Sequence, residues 1–160
     1  MKEHIRGFSL IEFLTTLVVI AILLIISIPP LASFYKKHTH QYQAMRLFHT
    51  LQFARTQAIK RQQNIGVCPS GNGVHCDSDW SLGYIVYVAD KNKKDLAALQ
   101  VLRVEKNSSA VQIETPSLQT IVYTREGRCL SRGSFYIDRH GKEPQKIILY
   151  DSGRSRIEAL

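Results

Sequence analysis

The sequence predicts an α+β protein in which one long N-terminal helix, its first half transmembrane, packs on an antiparallel β-rich globular domain. Three observations lead to this prediction. An apolar run of 21 residues covers 8–28, a helical repeat of apolar residues continues to about residue 62, and short apolar segments separated by turn residues fill the rest. A period that changes from helical to extended is typical of a helix followed by a sheet.

The chain has 160 residues, and its 21 Lys plus Arg against 13 Asp plus Glu leave a net charge of +8. This length suits one domain, and a composition of 44% hydrophobic and 21% charged residues excludes a disordered or collagen-like chain. No Asp or Glu occurs between Glu12 and Asp77, so the basic residues of that stretch are unopposed. The excess indicates an anionic partner, such as nucleic acid, lipid head groups or an acidic protein, unless it serves solubility alone.

The apolar run 8–28 contains one charged residue, Glu12. It is long enough to cross a bilayer as a helix, at about 1.5 Å per residue against a core of about 30 Å. A secretory signal would have a shorter apolar core and a cleavage site of small residues, whereas this run ends in Pro29-Pro30. We therefore expect a retained transmembrane helix, and two basic residues before it favour a cytoplasmic N-terminus.

Glu12 is an acid within an apolar span, which makes it costly to bury and, by default, a functional candidate. If the chain were cut after Gly7, Phe8 would carry a new α-amine, and Glu12 would lie four residues further along the same helix face. The carboxylate could then pair with an amine of its own helix or of a neighbouring helix. A carboxylate that reaches into the lipid head groups is the alternative.

The segment 7–12, with the sequence GFSLIE, resembles the processing site of type IV pilins and type II secretion pseudopilins. The resemblance implies that a prepilin peptidase removes the leader, residues 1–7, by cutting after Gly7, and then methylates Phe8. It also implies that Glu12 supports assembly with other pilins. Such a chain would be a single-pass protein of the bacterial inner membrane, with a periplasmic globular head, before it enters a pilus at the cell surface.

Residues 29–62 predict an amphipathic continuation of the helix. One of its faces is a stripe of apolar residues at helical spacing, formed by Ala44, Leu47, Phe48, Leu51, Ala54 and Ala58. We expect this stripe to dock on the globular domain. Phe53 stands on the opposite, polar face, where it would either pack against a neighbouring subunit or remain a lone exposed aromatic.

From residue 63 onward the pattern is extended. Seven short runs rich in Val, Ile, Leu and Tyr predict antiparallel strands at 64–68, 81–89, 99–105, 110–115, 118–124, 134–138 and 146–151. Turn signals such as Pro-Ser-Gly-Asn-Gly and Asp-Ser-Gly separate them. We therefore predict a β-rich globular head over 63–160 that ends in a basic C-terminal tail.

This half of the chain resembles the GspH/FimT-like minor pilins and pseudopilins, and FimT-type minor pilins most of all. The resembling segments are 67–76, 79–84, 86–90, 125–127, 134–137 and 153–156. The resemblance implies a pilin-like fold for nearly the whole chain. Within these segments we expect Trp80 and Tyr84 to be aromatic residues of the core.

Cys68 and Cys76 enclose seven residues, two of them glycines, so a disulfide between them is feasible. The predicted topology places them outside the cytoplasm, where disulfides persist. A zinc site that adds His75 and the remaining Cys129 is the alternative, but adjacent His and Cys ligands and a seven-residue gap do not match the usual spacings. We expect the disulfide, and neither a metal nor another cofactor.

The sequence has no phosphate-binding Gly-rich loop, no nucleophile elbow and no zinc-protease motif. We therefore expect a structural or binding subunit. A membrane-anchored enzyme is the alternative from another class, and a turnover that survived purification would favour it.

The C-terminal third carries eight cations that could bind an anionic partner: Arg125, Arg128, Arg132, Arg139, Lys142, Lys146, Arg154 and Arg156. Six of the eight are arginines, whose guanidinium can bind two phosphate oxygens at once. Arg154 and Arg156 follow Gly153, which can turn the chain, and residues two apart project to one side of a strand or an extended tail.

In FimT-like minor pilins of transformable bacteria, a Gly-Arg-x-Arg element is associated with binding DNA for uptake. Residues 153–156 match this element, which implies that Gly153, Arg154 and Arg156 bind double-stranded DNA during natural transformation. Binding should be largely independent of sequence, because nothing in the chain resembles a helix that reads a DNA groove. A type II secretion pseudopilin without a DNA role is the alternative.

Overall fold

The computed structural model describes residues 9–89, 100–107, 111–141 and 144–160, without the side chains of 26–37. The processing residues Gly7 and Phe8 lie outside the described residues, as does Lys142. The contacts divide the chain into two compact units, Met1–Lys37 and His38–Leu160. We describe each unit by itself and call the second one the head.

One helix, α1, spans Leu10–Arg61 and therefore contributes to both units. In the first unit, all described side chains from residue 9 to residue 25 are exposed, and Glu12 lies in the first helical turn. Within the described part of the chain, no helix combines the length and the hydropathy that crossing a membrane requires. The predicted span also includes Phe8 and the side chains of 26–28, which lie outside the described residues.

In the head, α1 is followed by strands that form two antiparallel four-stranded sheets. The strands are β1 (Ile65–Pro69), β2 (Gly83–Val88), β3 (Val101–Lys106), β4 (Ile113–Glu114), β5 (Ile121–Tyr123), β6 (Gly133–Ile137), β7 (Gln145–Leu149) and β8 (Ser155–Ala159). The first sheet has the order β3-β2-β1-β5 and the second the order β4-β6-β7-β8. Strands β1 to β7 confirm the seven predicted runs, whereas β8 occupies the segment predicted as a tail.

The apolar stripe of α1 packs in the core of the head, as its spacing predicts. Ala44, Leu47, Leu51, Ala54 and Ala58 are fully buried there together with residues from both sheets. Phe48 packs at the margin of the core. The helix is therefore held to the sheets by tertiary burial of one face, which is how most helices in proteins gain their stability.

Aromatic residues complete this core. Trp80 and Tyr84 are buried, as expected, and the Trp80 indole N–H donates a 2.8 Å hydrogen bond to the Leu118 carbonyl. The expectation that Phe53 contacts a neighbouring subunit or stays exposed is wrong. Phe53 packs against the core, and the Arg103 guanidinium of β3 lies 5.3 Å from its ring centre. A long side chain from an edge strand thus covers a ring on the helix face that its sequence pattern marks as polar.

Cys68 and Cys76 form the predicted disulfide, with their Cα atoms 5.6 Å apart. Because the two sulfurs are bonded to each other, neither cysteine is available as a zinc ligand. Cys129 is a free thiol buried beside β5, where its Sγ donates to the Ser131 carbonyl at 3.0 Å. Burial raises the pKa of this thiol above its usual value. Among the described residues, no group of three or more His, Cys, Asp or Glu side chains is placed to hold a metal ion.

Candidate nucleic-acid interface

Two hairpin turns of the same design lie side by side in the head. They are Thr124–Arg128, after β5, and Tyr150–Arg154, between β7 and β8. In each turn the glycine N–H donates to the carbonyl of the first residue, at 2.7 and 2.8 Å, and the first N–H donates to the carbonyl of the closing arginine, at 2.8 and 3.0 Å. Gly127 and Gly153 have φ values of 77° and 75°. This pattern is a hairpin loop that ends in a left-handed residue, a position where glycine is favoured.

The contact between the two turns is tight. A Cβ atom on Gly153 would overlap the Gly127 carbonyl oxygen, and the Cys129 N–H donates a 3.0 Å hydrogen bond to the Asp151 carbonyl. Each turn presents an exposed arginine directly after its glycine, Arg128 in the 124–128 turn and Arg154 in the 150–154 turn. The fold therefore repeats one Gly-Arg element next to the other.

Arg55 of α1 joins the two turns to the helix. Its Nε donates to the Gly127 carbonyl at 3.0 Å, and one terminal nitrogen donates to the Ser152 carbonyl at 3.2 Å. A charged donor shared by two carbonyl oxygens holds both turns in a fixed relation to the core helix. Arg55 is thus a positioning residue. In the sequence it is only one of the basic residues between Glu12 and Asp77, because its partners lie far along the chain.

Arg154 and Arg156 lie on the edge of the second sheet. In the β7–β8 ladder, Arg156 stands opposite Ile148, and the 150–154 turn places Arg154 opposite Tyr150. Residues two apart on an extended strand face the same side, as predicted for these two arginines. Both are exposed, and the Nε of Arg156 lies 3.5 Å from a Glu158 carboxylate oxygen.

The same face of the sheet continues to a pair of cations over one tyrosine ring. Lys146 precedes Ile148 by two residues and pairs with Tyr136 of β6, so its side chain belongs to the face that carries Arg156. The Lys146 ammonium lies 5.6 Å from the Tyr136 ring centre, and the Arg139 guanidinium lies 4.8 Å from it. Cation–π contacts thus hold two of the predicted cations on this face.

Arg125, by contrast, is already paired. Its Nε donates to a Glu126 carboxylate oxygen at 2.8 Å, and this hydrogen bond with the guanidinium lowers the pKa of Glu126 from 4.5 to about 2. The neighbouring Arg128 lines a cleft of about 530 Å³, together with Glu126, Cys129 and Asp151. Arg132 is exposed immediately before β6.

The predicted cations therefore differ in whether a carboxylate is paired with them. Within the described residues, no carboxylate forms an ion pair with Arg128, Arg132 or Arg154, whereas Arg125 and Arg156 each have a glutamate partner. Exposed ion pairs are weak, so a phosphate can compete for both paired arginines. The arrangement places exposed arginines of two adjoining turns where phosphate groups could reach them. The sequence named Arg125 and Arg128 as candidate cations, but it gave no sign that the 124–128 turn packs beside the 150–154 turn.

Three solved structures share the fold. Two crystal forms of the type IV minor pilin FimU from Pseudomonas aeruginosa strain PAO1 match with TM-scores of 0.60 and 0.63 at 22% and 21% identity, covering 74% and 78% of this chain and 91% and 92% of theirs. The minor pseudopilin EpsH of the Vibrio cholerae type 2 secretion system matches with a TM-score of 0.55 at 14% identity, covering 74% of this chain and 95% of its own. No curated protein matches in sequence.

The structural matches show a pilin fold, with an N-terminal helix packed on antiparallel sheets. The sequence itself matches the model of the family described as type II transport protein GspH over residues 43–153, well over half of the chain. This match takes in the apolar stripe, both sheets up to the β7–β8 turn, and Gly153. The fold therefore confirms the resemblance found in the sequence, and the chain belongs to the GspH family of type IV pilin-like proteins.

Proposed function

We propose that this protein is a minor type IV pilin that binds extracellular DNA without sequence preference, for uptake in natural transformation. The observation that carries the proposal is the placement of Arg154 and Arg156 on one side of an exposed edge strand, directly after the left-handed Gly153. Arg128 extends this surface from the adjoining turn. These three arginines are the residues we expect to contact DNA first.

The chemistry of the surface favours phosphate over bases. Guanidinium groups on a hairpin can each bind two phosphate oxygens, and phosphate contacts carry no sequence information. Because each neutralised phosphate releases counterions, affinity should fall with salt at a log–log slope of about 0.9 per contact. Lys146 and Arg139, held on Tyr136, lie on the same side as Arg156 and would add contacts for a longer duplex.

The N-terminal unit would carry the assembly role. Its exposed apolar side chains, from Leu10 to Ile25, support an anchor in the inner membrane and later packing among the helices of other pilins. In this proposal a prepilin peptidase cuts after Gly7, and Glu12 pairs with the amine of Phe8. The head then lies in the periplasm until the subunit enters a pilus. The protein acts as a binding subunit rather than as an enzyme and uses no cofactor.

The test is a titration of labelled duplex DNA with the full chain in a non-ionic detergent, at two salt concentrations. We expect micromolar affinity for the wild type, and a loss of both affinity and salt slope for Arg154→Gln with Arg156→Gln. Arg128→Gln should weaken binding more than Arg125→Gln, because a phosphate has to displace Glu126 before it can bind Arg125. Equal binding by the wild type and the double variant would refute the DNA-binding surface.

A second candidate function is a type II secretion pseudopilin without a DNA role. The description of the matching family and the similarity to EpsH favour it. In this case the full chain would not bind duplex DNA at all, and the arginine variants would behave like the wild type in every assay. The protein would then be found with secretion pseudopilins after crosslinking in cells, and Glu12→Val would reduce that crosslinking.

A further inference from the structure

We infer that the 150–154 turn carries a base-stacking subsite, in which the ring of Tyr150 stacks on an unpaired nucleobase while Arg154 and Arg156 hold the phosphates of the same strand. The inference rests on the proposed DNA binding and names the form of DNA that the turn favours, which is single-stranded DNA. Non-specific binding of single strands commonly combines cations along the backbone with aromatic rings for the bases. This turn brings both together.

Tyr150 is the cross-strand neighbour of Arg154. Its N–H donates to the Arg154 carbonyl at 3.0 Å, and its own carbonyl accepts from the Gly153 N–H at 2.8 Å. Directly opposed residues have Cβ atoms about 5 Å apart, and diagonal neighbours such as Tyr150 and Arg156 lie about 7–8 Å apart. One strand of DNA can therefore meet the ring and both guanidinium groups at once.

The Tyr150 ring is open, which distinguishes it from the other tyrosines near the sheets. Tyr84, Tyr87 and Tyr123 are buried, and Tyr136 lies under Arg139 and Lys146. Tyr150 is 43% exposed, and no ring or cation in the described residues stacks on it.

The ring is also held on a rigid support. Both backbone groups of Tyr150 are hydrogen-bonded within the turn, Gly153 packs on the neighbouring turn, and Arg55 binds the Ser152 carbonyl. A platform fixed before binding saves the entropy of ordering it in the complex. Leu130, exposed on the wall of the cleft next to Asp151, adds apolar surface beside the turn.

Duplex DNA cannot use this ring fully, because its bases are stacked on each other and present only their edges. An unpaired base offers a free π-face, and stacking on an aromatic side chain is tolerant of base identity. The subsite should therefore favour single strands and the frayed ends of duplexes without choosing a sequence. The arginines bind phosphates in both forms of DNA, with a salt slope per contact of about 0.9 for the duplex and about 0.7 for a single strand, whereas the tyrosine contributes to the single strand alone.

The experiment compares three labelled probes with equal numbers of phosphates: oligo-dT, a duplex, and an abasic strand. The full chain in detergent is titrated as wild type, Tyr150→Leu and Tyr150→Phe. We expect Tyr150→Leu to weaken oligo-dT binding by about fivefold or more, with no change for the duplex or the abasic strand. Tyr150→Phe keeps the ring and should bind oligo-dT like the wild type. The salt slope of Tyr150→Leu should equal that of the wild type.

A spectroscopic variant gives a second measurement. The one tryptophan of the chain, Trp80, is 2% exposed. The Tyr150→Trp variant would therefore add a solvent-accessible indole at the turn. Oligo-dT should quench its fluorescence, and the abasic strand should not. Equal quenching by the abasic strand would overturn the inference that Tyr150 stacks on a base.

The outcomes separate this inference from the proposed function. If Tyr150→Leu binds oligo-dT like the wild type, or loses all three probes equally, the stacking subsite is wrong while DNA binding stands. If the wild type binds none of the probes, the proposed function fails and the inference falls with it. Loss of all probes in the Arg154→Gln and Arg156→Gln variant, with a selective loss in Tyr150→Leu, supports both.

Discussion

The substitution Gly153→Ala measures how tightly the 150–154 turn is packed against the rest of the head. The φ of Gly153 is 75°, a conformation that costs an L-residue about 1–2 kcal/mol. The new Cβ would also overlap the Gly127 carbonyl oxygen and lie 3.1 Å from the Nε of Arg55. A backbone oxygen cannot move without its whole turn, so overpacking should add about 1–3 kcal/mol. We expect the free energy of unfolding to fall by about 2–5 kcal/mol.

Thermal unfolding of the full chain in detergent, followed by circular dichroism, measures this loss. For a head of this size, 1 kcal/mol corresponds to about 4 °C, so the melting temperature should fall by about 8–20 °C. Gly127→Ala is the first control, because its φ is 77° but the new Cβ meets the flexible end of Ile59, and its loss should be smaller. Gly71→Ala is the second, since it is exposed and faces the side chain of Leu82. Equal melting of Gly153→Ala and Gly71→Ala would refute the packing argument.

Three further predictions test other contacts. Arg55→Met removes both carbonyl contacts of the guanidinium. Thermal melting should show that the unfolding free energy falls by about 1–3 kcal/mol. Titration should show weaker DNA binding, although the exposed arginines remain. Arg125→Gln should return the pKa of Glu126 from about 2 toward 4.5. In the wild type, the stabilisation from this pair is therefore complete above pH 4.5 and is lost as the pH falls through about 2; carboxyl-detected NMR titration checks both values, and an unchanged Glu126 titration would contradict the pairing. Glu12→Val should keep membrane insertion but reduce incorporation into filaments, measured as the fraction of subunit in sheared pili.

The helix and most strands could be predicted because their signals are local. The apolar stripe of α1 repeats at helical spacing, and five of its six members are fully buried. The segment 155–159, with the sequence SRIEA, contains one large apolar residue, Ile157, and lacks the apolar run of the other strands. It becomes β8 because β7 supplies a register of five paired residues, and a local pattern cannot show such a partner.

The charge pattern of α1 wrongly suggests that its cations are free, because their partners are also distant in the sequence. No acid follows Glu12 until Asp77, so the helix cations looked free for an anionic partner. In the fold, the Nε of Arg46 lies 3.3 Å from a carboxylate oxygen of Glu105, and its terminal nitrogen donates to the Asn107 side chain at 2.9 Å. The Arg55 guanidinium donates hydrogen bonds to the carbonyls of Gly127 and Ser152. Both sets of partners lie more than fifty residues away along the chain, where charge counting over a window cannot detect them.

The candidate interface shows which part of a site a short motif can reveal. Residues 153–156 are visible in the sequence as Gly-Arg-Ser-Arg, and the alternation of a strand predicts that both arginines share one side. The second Gly-Arg pair, Gly127-Arg128, carries no such motif. It joins the site because the two turns pack on each other, with the Gly127 carbonyl against Gly153 and the Cys129 N–H donating to the Asp151 carbonyl.

This shared packing links the stability of the head to the proposed binding surface. Arg128 and Arg154 are exposed and make little contribution to folding, yet the glycines before them and the Arg55 guanidinium beneath them fix where their side chains begin. A phosphate that binds here has to order only the arginine side chains, since the backbone is already held by hydrogen bonds at both ends of each turn. Nearby carboxylates weaken the positive electrostatic potential at distances beyond direct contact. The main one is Glu158, which lies 3.5 Å from Arg156. If this edge binds DNA as proposed, we therefore expect affinity to depend on close geometry more than on the net charge of the chain, because the turns fix that geometry.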